Sequence, residues 1–239
     1  MNGEFQGRAV VLTGFGRPGQ VGETIAQTFA RAGAHLVLVD RDASDADPRT
    51  AELRSLGVNV HHFARDLSDI TEVTKLVVDI EAVAPDGVQA LVCVAGGFAM
   101  SGPVAESDAA IFHKMIAINL TTAYLTTRGV LPLLRRARGS IVYFSAAAVL
   151  PGGSGARMSG YAAAKAGVSM LMRAVAAEEA EHGVRANALA PTMIRTAMNE
   201  ESMGSEKRYV EREQIADIAL YLCSDAARAI TGQVIRLDA

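Results

Sequence analysis

Short apolar runs alternate with longer helical patterns almost from end to end, and this alternation constrains the 239-residue chain more than any other feature. The runs at 8–13, 35–39, 58–63, 90–94, 140–144, 185–189 and 233–237 are mostly rich in Val, Ile and Leu without polar alternation. A strand covered on one face alternates, whereas one covered on both faces reads as a continuous apolar run. Helical patterns lie between them at about 21–32, 48–56, 70–83, 108–136, 158–182 and 213–224. Gly33, Gly57, Gly139 and Gly183 fall at helix-to-strand junctions, where a left-handed residue is wanted. Strands that alternate with helices are joined by right-handed crossovers into a parallel sheet. The prediction is therefore an α/β protein, a doubly wound parallel sheet of about seven strands with helices on both faces. No linker, repeat or low-complexity tract interrupts it, so residues 1–239 are expected to form a single domain. The irregular segment 196–212 reads as a surface loop or short cap over a site.

Half the residues are hydrophobic and tryptophan is absent, which suits an Ala/Val/Leu interior. A formal charge of −3 argues against nucleic acid or an anionic membrane as the partner. The one tight basic cluster, Arg135, Arg136 and Arg138, suits a helix C-terminus. Cys93 and Cys223 each lie in an apolar run without metal-ligand spacing and read as buried free thiols of a reducing compartment. His61 and His62 are adjacent in a strand and point to opposite faces, so no metal is expected. No apolar run is long enough to span a membrane, and the opening residues lack a signal-peptide pattern. A cytoplasmic location is expected.

The first strand runs straight into Thr13-Gly14-Phe15-Gly16-Arg17-Pro18-Gly19-Gln20-Val21-Gly22, and a helix follows. Glycines at such a turn let backbone N–H groups and the helix N-terminus approach a pyrophosphate. A glycine-rich string alone is a weak signal, and close packing of a structural turn would also use glycines. Here the second strand ends in Asp40, placed to accept hydrogen bonds from an adenosine ribose, which supplies the confirming context. The setting is Rossmann-like. A carboxylate there repels a 2′-phosphate, so NAD is expected rather than NADP, although Arg17 and Arg41 could each pair with a phosphate.

Tyr161 and Lys165 stand four apart in a helical pattern, on one face. A nearby ammonium stabilises phenolate and makes tyrosine usable as an acid/base near neutrality.

With these marks the chain resembles the short-chain dehydrogenase/reductase family over essentially its whole length. The matching features are Thr13–Gly14, Asp66, Ala95–Gly96, Asn119, Tyr161-x-x-x-Lys165 and Asn187…Pro191…Thr196, in that order. The resemblance implies that Tyr161 exchanges a proton with the substrate oxygen, while Lys165 lowers its pKa and binds the nicotinamide ribose. Asn119 would hold a water in a proton relay. Gly14, Gly16, Gln20 and Val21 would form the phosphate turn, with Asp40 and Arg41 at the ribose and Asp66 and Leu67 beside the adenine. Ala95 and Gly96 would line the groove, and Pro191, Ile194 and Thr196 would meet the nicotinamide carboxamide.

The chain departs from the family pattern in four places. Its glycine turn is two residues longer than T-G-x-x-x-G-x-G, with Gln20 in place of the middle glycine. That spacing is similar to the family's enoyl-reductase branch, which however spaces its Tyr and Lys more widely. The family's N-N-A-G reads Cys93-Val94-Ala95-Gly96. Ala146 stands where the catalytic serine is usual, with Ser145 one residue earlier and a longer stretch leading to Tyr161. Because alternate strand residues face opposite ways, Ser145 would need a local backbone change to replace it. Ser145 ranks first as a stand-in, ahead of Ser154 and Ser159. Finally, 196–212 is shorter than the family's usual substrate cap.

The expected function is an NAD(P)(H)-dependent oxidoreductase interconverting a secondary alcohol and a ketone. The alternatives are a cofactor-binding sensor or assembly subunit with weak or lost catalysis, and a family member using the tyrosine for non-redox chemistry. Apolar residues in 108–136 and 158–182 imply, by the same resemblance, a homodimer or homotetramer.

Overall fold

The computed structural model describes residues 4–42 and 47–239. The apolar runs become β1 (Ala9–Thr13), β2 (His35–Asp40), β3 (Val60–Ala64), β4 (Ala90–Cys93), β5 (Ser140–Phe144), β6 (Arg185–Pro191) and β7 (Val234–Leu237). They pair in parallel into one sheet in the order β3-β2-β1-β4-β5-β6-β7. Between them lie α1 (Val21–Arg31), α2 (Asp47–Ser55), α3 (Ile70–Val83), α4 (Ala109–Met115), α5 (Thr122–Ala137), α6 (Ser159–Glu178), α7 (Ala197–Met203) and α8 (Arg212–Cys223).

Successive residues of β1 feed opposite cores, as the two-residue period of a strand requires. Val10 and Leu12 join Phe15, Ile25, Phe29, Leu36 and Ile215 on the face covered by α1 and α8. Val11 joins Leu76, Ile80, Leu91, Leu133, Tyr143 and Met172 beneath α3, α5 and α6. Each fully buried aliphatic side chain of this kind contributes about 1.5–3 kcal/mol. Strand order turns back at β1, whose two neighbours are β2 and β4, and a crevice opens there at the carboxyl ends of the strands. Among the described residues, no helix is long and apolar enough to cross a membrane.

Three local expectations are sharpened. The pattern at 108–136 is continuously helical as expected, but its middle, Ile116–Thr121, is a π turn between α4 and α5. Such insertions concentrate at functional sites, and this one carries Asn119. At the end of α5 the left-handed position belongs to Arg138 (φ 49°), not Gly139. Gly139 is needed for closeness instead, since a Cβ there would lie 2.5 Å from the Val88 carbonyl oxygen. The segment 196–212 is also partly regular, because Thr196 caps α7 by accepting from the Asn199 N–H at 3.2 Å. Arg135, at the last turn of α5, makes a two-pronged contact with the buried Glu179 that follows α6, at 2.7 Å in each prong.

Candidate active site

The turn after β1 passes so close to the end of β4 that side chains do not fit. A Cβ on Gly14 would lie 2.5 Å from the Ala95 nitrogen, and one on Gly22 would collide with the Gly14 carbonyl oxygen. Glycine is therefore required at both positions, and the turn folds over the crevice mouth. Its N–H groups are anchored across the sheet: Gly14 donates to the Val39 carbonyl at 2.8 Å, and Gly16 to the Asp40 carboxylate at 2.5 Å. The other Asp40 oxygen accepts from the Arg41 N–H at 2.8 Å. A carboxylate oxygen has two lone pairs, so each retains capacity for a ribose hydroxyl.

Gly14, Gly16, Gln20, Val21, Asp40, Arg41, Asp66, Leu67, Ala95 and Gly96 all line one groove of about 390 Å³, a volume within the range of small-molecule sites. The Ser68 hydroxyl and N–H both donate to Asp66 and hold its carboxyl below the usual range. The groove also takes in Arg17, named from the sequence as able to pair with a phosphate, and Arg65, Val94, Ile118, Thr122 and Met198, which the sequence did not mark as site residues. Ile118 and Thr122 are four apart on the face beside Asn119, a signal present in the sequence. Met198 reaches the groove only because α7 folds back over it.

Gly96 joins this groove to the Tyr–Lys pair. A Cβ there would lie 2.5 Å from Asn119 Oδ1 and 3.7 Å from Lys165 Nζ. Asn119 donates through Nδ2 to the carbonyls of Gly97 and Met115, both at 3.0 Å, and accepts from the Gly97 N–H at 3.2 Å. The π turn is thereby tied to the loop after β4. Tyr161 and Lys165 share a face of α6, with Lys165 Nζ 5.8 Å from the phenol ring centroid and donating to the Phe144 carbonyl at 2.8 Å. The Phe98 ring meets the Tyr161 ring edge-on, with centroids 5.0 Å apart, while remaining 54% exposed. Phe98 lies two residues beyond Gly96, and nothing in its local pattern marks it.

Burial pushes the Tyr161 phenol up to about 12 and the Lys165 ammonium down to about 8. The sequence leads to the opposite expectation for the phenol. The physical reason is that both groups are withdrawn from water, which disfavours phenolate and ammonium alike. Cys93 and Cys223 are buried free thiols, also pushed up to about 12 by desolvation.

The structure does not turn Ser145 toward a substrate position. Its buried hydroxyl donates to the Lys165 carbonyl at 3.1 Å and pairs with the Ser169 hydroxyl at 2.7 Å, both beyond Tyr161 along α6. Ala146, also buried, has no hydroxyl to offer. The Ser159 hydroxyl stands 3.5 Å from that of Ser101, and the Ser154 hydroxyl accepts from the Ala156 N–H at 3.3 Å. Pro191 ends β6, Ile194 bridges to Val210, and Thr196 caps α7, so all three shape the segment that carries Met198.

Comparison with known proteins agrees with this architecture. Residues 17–239 match the family model described as enoyl-(acyl carrier protein) reductase. The chain is 30% identical to 2-(S)-hydroxypropyl-CoM dehydrogenase 3 of Xanthobacter autotrophicus, covering 100% of this chain and 98% of that protein. It is 32% identical to galactitol 2-dehydrogenase (L-tagatose-forming) of Cereibacter sphaeroides, over 98% and 94% respectively. A solved short-chain dehydrogenase/reductase from Burkholderia xenovorans superposes with a TM-score of 0.90 at 34% identity, over 99% of this chain and 96% of that one. The protein belongs to the short-chain dehydrogenase/reductase family.

Proposed function

We propose that the protein is an NAD(H)-dependent oxidoreductase that interconverts a secondary alcohol and a ketone, with Tyr161 as acid/base. The observation that carries this is the place of Gly96, which lines the groove behind the glycine turn and packs against Asn119 beside Lys165. The residues present fit a dinucleotide, because the glycine turn, the start of α1, Asp40, Asp66 and Gly96 line one groove of small-molecule size.

Bound NAD(H) supplies the hydride donor or acceptor. The protein's own residues do the rest. Asp40 holds the adenosine ribose, with Arg41 beside it; Gly14, Gly16, Gln20 and Val21 form the phosphate wall; Asp66 and Leu67 flank the adenine. Ala95 and Gly96 border the groove, and Pro191, Ile194 and Thr196 shape the nicotinamide end. Lys165 supports the ribose and the phenol, and Asn119 fixes the loop over which a proton relay passes. A phenol kept protonated at neutral pH is a ready acid for the carbonyl oxygen, which favours ketone reduction near neutrality and alcohol oxidation at higher pH.

Two relatives are by name dehydrogenases of hydroxyl-bearing compounds, and Tyr161 and Lys165 stand at the four-residue spacing expected for carbonyl chemistry. Asp40 favours NAD over its 2′-phosphorylated form. Exposed Phe112, Tyr124 and Met170, on α4, α5 and α6, support assembly into a homodimer or homotetramer.

A second reading, cofactor binding with weak or lost catalysis, draws support from Ala146 and from the commitment of Ser145 to α6. One experiment separates the two: NADH and a ketone panel, followed by loss of nicotinamide absorbance. Turnover that falls at least about a thousandfold in Tyr161→Phe, a loss at the upper end for a positioned acid/base, supports the oxidoreductase. Tight NADH binding without turnover across the panel would favour the second reading.

A further inference from the structure

The enlarged glycine turn contains an unusual arrangement of charge. Glu23, in the first turn of α1, accepts the Gly19 N–H through Oε2 at 2.6 Å. A carboxylate therefore sits next to Gln20 of the groove wall, at a helix start where anions are normally welcomed. Left alone, it would oppose an anionic ligand.

Arg49 reaches it from α2. Its Nη1 lies 3.9 Å from Glu23 Oε1, and its Nη2 donates to the Gly16 carbonyl at 2.6 Å. The same guanidinium lies 4.1 Å from the centroid of the Phe15 ring, and Phe15 is itself 1% exposed in the core. The Arg49 and Glu23 side chains are only 11% and 16% exposed, so their attraction is weakly screened. A planar cation that stacks and forks at once is a task for arginine.

We propose that Arg49 is a positioning residue for the cofactor: it balances the Glu23 charge and pins the turn at Gly16 and Phe15, so that the longer turn accepts an anionic dinucleotide. This rests on the reading of the groove as an NAD(H) site. Arg49 acts through the turn and through Glu23.

The test is NADH affinity, measured by the change in nicotinamide fluorescence on the whole protein, in Arg49→Met, Glu23→Gln/Arg49→Met and Arg49→Lys, with folding checked by circular dichroism. Arg49→Met, which leaves Glu23 uncompensated, is expected to weaken NADH binding at least tenfold and to raise the NADH KM more than it lowers kcat. Removing the Glu23 charge as well should recover at least about threefold of that loss, the remainder being the lost contacts to Gly16 and Phe15. Affinity in Arg49→Met within twofold of wild type would overturn the proposal, and so would a double variant no tighter than the single one. If Arg49→Met does not fold, Arg49→Lys decides. It keeps the charge but loses the stack on Phe15, so it should bind about three- to tenfold more weakly than wild type; binding within twofold, or a loss above a hundredfold in folded Arg49→Lys, would overturn the proposal. Wild-type protein that binds neither NADH nor NADPH would sink the dinucleotide reading itself, and the proposal with it.

Discussion

The β1–α1 turn and the β5–α6 junction both depart from the family pattern, yet they depart differently. At the turn, two extra residues and the loss of the middle glycine are met by new contacts: Phe15 buried, Arg49 stacked on it, Glu23 on Gly19. At the junction, the usual serine is Ala146, and the neighbouring hydroxyl of Ser145 is committed to the helix backbone. One departure is rebuilt locally. The other is left open at the position where a substrate oxygen would look for a donor. A loop can absorb insertions by repacking at its surface, whereas the end of a fully buried strand has one direction per residue and no room to turn.

Lys165→Met gives the largest effect expected at the junction. Turnover should fall at least about a hundredfold, the scale of a lost charge partner for an acid/base, while the fold persists. The same variant tests burial. An ammonium that titrates at about 8 in the folded protein and at 10.5 when unfolded makes the unfolded chain bind the extra proton between those values. Stability of the wild type therefore rises with pH across that window, and Lys165→Met should lack the rise in chemical denaturation measured from pH 7.5 to 10.5. Tyr161 has the opposite sign: its phenol, ordinarily at 10.0 and pushed up to about 12, removes stability as pH climbs between them.

Ala146→Ser sharpens the comparison from the substrate side. If the open position limits the reaction, kcat rises about three- to tenfold, a conservative share of what one preorganised donor can contribute. An unchanged or lower kcat would show that the site does not need the donor. Ser145→Ala has the smallest expected effect on turnover, within about twofold, with a lowered Tm because buried Ser169 and Lys165 contacts are lost. A hundredfold loss there would reverse the comparison and make Ser145 the substrate donor.

Much of this was legible in the chain. Continuous apolar runs report strands buried on both faces, and every predicted strand is present in the sheet. Residues flanking the turn, Asp40, Asp66 and Gly96 meet in one groove because each lies at or just past a strand end, and parallel strands bring such ends to one edge. What was not legible depends on contacts between distant segments. The π turn at Ile116–Thr121 looks like ordinary helix in its pattern, and Arg138 takes the left-handed position that the sequence assigns to Gly139. Phe98 reaches the site along the loop after β4 and Met198 on α7, by chain paths that no periodicity encodes.

By itself, the sequence determined the layered α/β architecture, the glycine turn, and the pairing of Tyr161 with Lys165 on one helical face. These follow from local periodicity and fixed spacing, which survive any packing of the rest. Only the tertiary structure decided that Arg49 crosses from α2 to Glu23, that Ser145 bonds to α6, and that burial drives the Tyr161 and Lys165 proton affinities apart. Those depend on which surfaces lose water together, and burial is a property of the assembled fold.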